Sequence, residues 1–150
     1  MALDWLLASL HHLAIFSLAA ILAAEVALTG GEVNGRSILR LARIDAWYGA
    51  VAALVLAAGV ARVFLGAKGA EYYGANWVFW IKMALFAGVG ALSVLPTLRI
   101  IVWRRAVRLD DRFHPPHDQL AAIRRVLWAE VGLFALIPIA AAGMARGYGL

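Results

Sequence analysis

Four long apolar stretches, separated by short polar segments, make up most of this chain. They cover about residues 5–28, 47–65, 77–103 and 122–144. Each is close to the roughly 20 residues that an α-helix needs to cross about 30 Å of hydrocarbon. The segments between them are short and rich in glycine, proline or charge. The pattern predicts an all-α integral membrane protein, an up-down-up-down four-helix bundle with residues 1–150 as a single transmembrane domain.

Composition and charge agree with a membrane protein and predict its orientation. The chain is 64% hydrophobic, with a formal net charge of +5 and a mean hydropathy of +0.81. Its arginines concentrate in the first and third connections, whereas the second connection holds Lys68 and the C-terminal tail Arg146. The positive-inside rule therefore predicts both termini outside. Because orientation explains the basic residues, we expect no nucleic-acid partner. Tryptophans at helix ends predict an interfacial belt: Trp5, Trp47, Trp77 and Trp103.

Helical periodicity sorts the polar residues into two layers. On the first stretch Asp4, His11, Leu18 and Glu25 recur every seven residues and share one face. With both termini outside, an outer layer is cationic and bears histidine: His11, His12, Arg62, Lys82 and Met144. An inner layer bears carboxyl and hydroxyl groups: Glu25, Asp45, Tyr48, Ser93, Thr97 and Glu130. Ionisable residues inside a membrane indicate function by default, so both layers are candidate sites.

The outer layer has the chemistry of a haem b site. The chain has no cysteine, so a metal would be held by His, Met, Lys or carboxylate. His11 or His12 could be an axial ligand, Arg62 and Lys82 could bind the propionates, and Met144 could be a soft ligand. Neighbouring residues would wall the cofactor: Tyr72, Tyr73, Asn76, Phe79 and Trp80. Alternatively, the histidines bond neighbouring groups, the cations reach outward to phosphates, and the methionine only packs.

The inner layer predicts a proton path through Glu25, Asp45, Tyr48 and Glu130. A neutral glutamic acid costs less than a charged one in hydrocarbon, so such a side chain can carry a proton at neutral pH. A redox protein that moves protons with electrons needs a residue of this kind. The alternative interpretation is structural, with Glu25, Asp45 and Glu130 paired to arginines: Arg40, Arg43, Arg99 or Arg125.

Two motifs carry a resemblance to a known family. Leu10-His11-His12-Leu13 and Phe79-Trp80-Ile81-Lys82 resemble motifs of the small four-helix membrane protoporphyrinogen oxidases of bacteria. That resemblance implies His11 or His12 as a haem ligand and Lys82 as a catalytic or porphyrin-carboxylate partner. It covers only these two segments.

Nearly the whole chain resembles an uncharacterised group of bacterial predicted membrane proteins. The shared stretches include Arg43-Ile44-Asp45, Tyr48-Gly49, Gly59-Val60-Ala61-Arg62, Ser93-Val94-Leu95-Pro96-Thr97 and Met144-Ala145-Arg146-Gly147. Both groups are similar to copper-resistance-type four-helix membrane domains, some of which bind haem or copper. The resemblance implies a multi-pass protein of the bacterial inner membrane, and no activity.

Two functions remain as expectations from the sequence. The first is a haem b-binding membrane redox protein, acting on a lipophilic quinol or porphyrinogen as an oxidoreductase, with Lys82 and Glu130 as catalytic residues. The second is a small proton- or anion-coupled transporter, or an accessory subunit, without a redox cofactor. The expected partners are the lipid bilayer and a lipophilic small molecule. The oligomeric state is left open, a homo-oligomer included.

Overall fold

The computed structural model describes residues 2–149, and that range is helical with no strand. Its helices are α1 (Ala2–Thr29), α2 (Gly35–Leu65), α3 (Gly69–Ala75), α4 (Trp77–Leu109) and α5 (His117–Ala145). Among the described residues, α1, α2, α4 and α5 are long and apolar enough to cross a membrane. The predicted all-α membrane bundle is confirmed.

The four long helices extend beyond the apolar stretches of the sequence. α2 begins at Gly35 rather than near residue 47, because Asn34 caps it by accepting a hydrogen bond from Ser37 N at 3.0 Å. α4 continues to Leu109, and α5 begins at His117, directly after Pro116. Helix ends that carry arginines have no hydropathy signal, although water and lipid headgroups accommodate them. Hydropathy therefore marks the membrane-crossing part of each helix and not its ends.

The second connection contains the short helix α3, where the sequence pattern predicts a glycine-rich loop. Asn76 follows it and caps α4, accepting hydrogen bonds from Val78 N at 2.9 Å and Phe79 N at 3.2 Å. The same side chain donates through Nδ2 to Tyr148 O at 3.1 Å, and Trp77 N donates to Gly149 O at 3.1 Å. The last described residues are thereby fastened to the start of α4.

Hydrogen bonds between connections define the two ends of the bundle. Asp4 at the start of α1 accepts a hydrogen bond from Ala67 N at 3.1 Å, just after α2. Together with the Trp77–Gly149 bond, this places both described chain ends beside the second connection, at what we name the termini end. At the opposite end, the Arg124 guanidinium donates to Thr29 O and, at 2.8 Å, to Gly31 O. The helices alternate in direction, and which end faces the cytoplasm stays a prediction.

The core lies along the bundle axis, and the outer surface is apolar. α1 packs mainly against α2, and α4 mainly against α5. Large side chains such as Phe16, Phe64 and Ile139 are exposed, as expected of a surface that contacts acyl chains. Trp103 corrects one prediction: it is not in the interfacial belt but 1% exposed in the core. Its indole N–H donates to Gln119 Oε1 at 3.2 Å, so a partner on α5 draws it inward.

Candidate functional site

Two cavities lie within the bundle. The outer cavity, of about 510 Å³, is nearer the termini end and is lined by residues of all five helices. The inner cavity, of about 400 Å³, lies between α2 and α4 and is bordered in part by Asp45, Tyr48 and Thr97. Leu18 and Phe86 border both cavities. A thin apolar layer therefore separates two chemically different sites.

The outer cavity brings together most of the residues that the sequence assigns to a cofactor site. His11, His12, Arg62, Lys82 and Met144 all line it. Asn76 and Trp80 do not. The Asn76 side chain is fully buried and used in capping α4. Trp80 is exposed and donates its indole N–H to Gly74 O at 3.1 Å.

His11 is held in one orientation by the backbone of the neighbouring helix. Its Nδ1 lies 3.1 Å from Val55 O. Because a carbonyl oxygen only accepts hydrogen bonds, Nδ1 carries the hydrogen and Nε2 keeps its lone pair in the neutral imidazole. Gly59 makes room for this ring, since a Cβ at that position would lie 3.2 Å from His11 Cε1. Metal-binding histidines typically have this arrangement, with the other ring N–H bonded to a carbonyl or carboxylate.

His12 has the same pairing in a more open position. Its Nδ1 lies 2.6 Å from Ala8 O of its own helix, and the residue is exposed. The two imidazole centroids are 6.3 Å apart, with an interplanar angle of 80°. Among residues 2–149, no three or more His, Cys, Asp or Glu side chains form a group that could hold a metal ion. A metal at either histidine would need donors from another molecule.

The charge of the outer cavity is positive. Arg62 is half-buried, and its buried Nε has no hydrogen-bond partner among residues 2–149. Lys82 is also half-buried, with Nζ 5.4 Å from the centroid of the Phe79 ring. Both cations lie within electrostatic range of His11. Since no acidic residue is among those lining the cavity, it suits an anionic group.

α3 borders the outer cavity through Tyr73. Lys68, just before α3, also lines the cavity, and its Nζ donates to Tyr72 OH at 3.1 Å and lies 4.3 Å from the centroid of that ring. Tyr72 OH in turn donates to Met144 O at 3.3 Å. Unlike Arg62, Lys68 thus has a partner within the protein.

The inner layer contains three carboxyl groups that lie within electrostatic range of one another. Glu25 and Glu130 are 2% and 1% exposed, and Asp45 is within electrostatic range of both. Tyr48 OH donates a hydrogen bond to Glu130 Oε1. The remaining buried oxygens, Glu25 Oε1 and Glu130 Oε2, have no hydrogen-bond partner in the described structure.

Hydroxyl groups, not arginines, bond the inner carboxylates. Thr97 Oγ1 donates to Asp45 Oδ1 at 2.6 Å, as Tyr48 does to Glu130. Within residues 2–149, no arginine donates a hydrogen bond to Glu25, Asp45 or Glu130. The interpretation that arginines pair these carboxylates therefore gains no support from the geometry.

Sequence reasoning missed the groups that position the candidate residues. The partner of His11 is the backbone carbonyl of Val55. Every residue has such a carbonyl, so the sequence does not indicate which one bonds the ring. Gly59 lies on the same seam of α2 one turn after Val55, and a glycine on a buried seam is a usable signal of close approach. The pairing of Thr97 with Asp45 follows from the α2–α4 contact, which a single sequence does not define.

Comparison with known proteins adds the family. No curated protein and no solved structure matches the chain. A family model described as "Predicted membrane protein (DUF2214)" matches residues 3–149. The match confirms the resemblance to a predicted membrane protein family and does not bear on protoporphyrinogen oxidases or copper-resistance domains. Since it extends over nearly the whole length, the chain belongs to the DUF2214 family of predicted membrane proteins.

Proposed function

We propose that this protein is a haem b-binding redox protein of the bacterial inner membrane, with the haem in the outer cavity. One observation carries the proposal. The bond from His11 Nδ1 to the Val55 carbonyl leaves Nε2 as a free ligand in a cavity whose lining includes the half-buried cations Arg62 and Lys82. A hydrogen-bonded second nitrogen fixes the ring and makes a ligating imidazole more basic.

The residues of the outer cavity fit this group. A volume of about 510 Å³ lies in the range of roughly 300–1,000 Å³ of small-molecule sites. Apolar side chains form most of the wall, while Arg62 and Lys82 would bind the propionates. His11 would ligate the iron, and Met144 on α5 is a candidate second ligand. The macrocycle would supply the donors that the protein lacks. When bound, haem provides one-electron redox chemistry.

The substrate would be a lipophilic quinol or porphyrinogen, and the protein would be a membrane oxidoreductase. Lys82 would orient the acidic edge of a bound molecule. Glu130, with Tyr48 bonded to one oxygen and its other oxygen unpartnered, would hold and pass on a proton. Glu25 and Asp45 would continue this path toward the end opposite the termini.

The two histidines provide a matched test of the haem site. We expect His11→Ala to abolish the Soret band of protein purified from haem-replete cells. His12→Ala should retain the band, because His12 is exposed and bonded to its own helix. Both variants should elute as the same folded species in size-exclusion chromatography. A band that survives in the His11 variant would overturn the assignment.

A second function is favoured by a different observation, the unpartnered carboxyl oxygens of Glu25 and Glu130. In this alternative the protein is a proton- or anion-coupled transporter, with the carboxylates and the outer cations at opposite ends of one path. The path would cross the layer at Leu18 and Phe86. Flux in proteoliposomes that is lost in Glu130→Gln and independent of haem would support transport. Absence of flux in the wild-type protein would count against it.

A further inference from the structure

The inner cavity is a cleft that opens sideways between α2 and α4. Its rim is formed by small exposed residues, Gly49 and Ala50 on α2 and Gly90 on α4. A Cβ placed on Gly49 or Gly90 would meet no atom within 4 Å. Because α2 and α4 cross the membrane, the open side of this cleft faces the acyl chains. A molecule dissolved in the bilayer can reach it without passing through water.

The hydroxyl hydrogens of the cleft are already donated to protein acceptors. Thr97 donates to Asp45, Tyr48 donates to Glu130, and Ser93 Oγ donates to Gly90 O at 2.8 Å. A hydroxyl that has donated its hydrogen still has lone pairs that accept. The polar part of the cleft therefore offers oxygen acceptors, with the exposed Arg104 as the charged donor at its edge.

We infer that this cleft binds the headgroup of a lipophilic hydroquinone, whose two hydroxyl groups donate hydrogen bonds, one to the bonded pair of Asp45 and Thr97 and the other to the Tyr48 oxygen. This inference rests on the proposed function, which gives a lipophilic quinol or porphyrinogen as the substrate. It selects the quinol. An oxidised quinone has only carbonyl acceptors, so it would leave these oxygens without donors. A porphyrinogen carries carboxylates, for which the cleft offers few donors beyond Arg104 at its edge.

The first test compares the two oxidation states of one small headgroup. Tetramethylhydroquinone under anaerobic conditions and tetramethylquinone are titrated into the protein in nanodiscs, with empty nanodiscs to subtract partitioning. Saturation-transfer NMR reports the bound headgroup. We expect the hydroquinone to bind about tenfold more tightly, the equivalent of one or two satisfied hydrogen bonds. Equal affinities, or no binding above empty nanodiscs, would overturn the inference.

A matched pair of glycine variants places the binding in the cleft. Gly90→Leu puts a side chain into the open space and should abolish hydroquinone binding. Gly132→Leu makes the same change on α5 at an exposed position where a Cβ meets no atom within 4 Å and which lines neither cavity. It should bind as the wild type does. Wild-type affinity in a folded Gly90→Leu protein would contradict the assignment.

A hydroxyl deletion tests which atoms accept. Thr97→Val keeps the shape of the side chain but removes one acceptor, together with the hydrogen bond that Thr97 donates to Asp45, so hydroquinone should bind about fivefold more weakly while quinone binding is unchanged. An unchanged preference for hydroquinone would exclude Thr97 from the site and contradict the inferred contacts.

The haem proposal and this inference fail separately. Gly90→Leu should keep the Soret band, and His11→Ala should keep hydroquinone binding. A colourless wild-type protein that binds hydroquinone would refute the haem proposal and leave the cleft assignment standing. A protein that binds haem but not hydroquinone would refute the cleft assignment and leave the haem proposal standing.

Discussion

The outer and inner cavities differ in the sign of their charge and in how their polar groups are satisfied. The outer cavity has two half-buried cations and two imidazoles, and one buried nitrogen of Arg62 is unpartnered. In the inner layer the hydroxyls of Tyr48 and Thr97 donate to Glu130 and Asp45, and within residues 2–149 Glu25 Oε1 has no hydrogen-bond partner. Leu18 and Phe86 stand between the two.

On the proposed function, this difference separates a binding site for an anion from a path for protons. An uncompensated charge inside a membrane costs about 2.5–3.5 kcal/mol on insertion scales. Pairing the glutamates with Arg62 and Lys82 would reduce that cost, yet His11 and Glu25 on one face of α1 are separated by about 21 Å at 1.5 Å per residue. Keeping the charges apart leaves the cations free for an anion and the carboxylates free for protons.

The largest expected effect is on the cations of the outer cavity. The double substitution Arg62→Leu with Lys82→Met should weaken haem binding about a hundredfold, because each charged hydrogen bond contributes about 1.5–3 kcal/mol and 1.4 kcal/mol is tenfold. Titration with haem, followed by absorption, measures the change. Lys68→Met is the control, since Lys68 lines the same cavity but is bonded to Tyr72. Equal losses in both proteins would mean that the site needs only general positive charge.

A smaller effect is expected in the inner layer. Tyr48→Phe removes the donor to Glu130 and leaves a buried carboxyl oxygen unpaired, which should lower the free energy of unfolding by about 1–3 kcal/mol. Glu130→Gln keeps an oxygen to accept from Tyr48, so it should destabilise less while it removes the titratable proton. Unfolding in detergent and turnover measured side by side separate the two roles. If Glu130→Gln keeps full activity across pH, the carboxylates are structural.

A variant of Asn76 tests whether this residue belongs to the haem site of the outer cavity. Asn76→Ala removes the cap of α4 and the bond to Tyr148, and should lower the free energy of unfolding by about 1 kcal/mol. Haem affinity should stay at the wild-type value, because Asn76 does not line the cavity. Thermal unfolding and haem titration of the same preparation test this. Lost haem affinity with unchanged stability would return Asn76 to the cofactor site that the sequence predicts.

The smallest expected effect on haem affinity comes from Gly59, which makes room for the His11 ring. Gly59→Ala puts a Cβ 3.2 Å from His11 Cε1, so the ring must move by a few tenths of an ångström and its bond to Val55 weakens. We expect haem affinity to fall about threefold, a change of less than 1 kcal/mol. Gly132→Ala, where a Cβ meets nothing within 4 Å, should leave haem affinity unchanged. A Gly59→Ala protein with tighter haem binding would show that the present ring position is not the ligating one.

The fold and the two layers follow from sequence because hydropathy and helical period act locally. The seven-residue spacing from Asp4 to Glu25 places His11, Leu18 and Glu25 on the inward face of α1 without any knowledge of neighbours. Leu18 and Glu25 are indeed buried there. Hydropathy does not predict that α2 begins at Gly35, because the first turns of this helix carry arginines. The residue that marks this start is the capping Asn34.

The contacts that tune each site depend on which helices meet, so they could not be predicted. Thr97 approaches Asp45 only because α4 lies against α2 at that level, and Val55 presents its carbonyl to His11 only through the α1–α2 packing. Trp103 lies at the end of an apolar stretch, yet it packs in the core and bonds Gln119 of another helix. The pattern of one sequence predicts which face of a helix a residue lies on. Its hydrogen-bond partner on another helix depends on how the helices pack.

The most direct test of the two-cavity account is a titration of the wild-type protein in nanodiscs with haem b. The account predicts a Soret band that saturates at about one haem per chain and a spectrum typical of an imidazole-ligated iron. His11→Ala should lose it, and Glu130→Gln should leave it unchanged, because Glu130 belongs to the inner layer. A spectrum that stays that of free haem at every ratio, or one that depends on Glu130 and not on His11, would contradict the account.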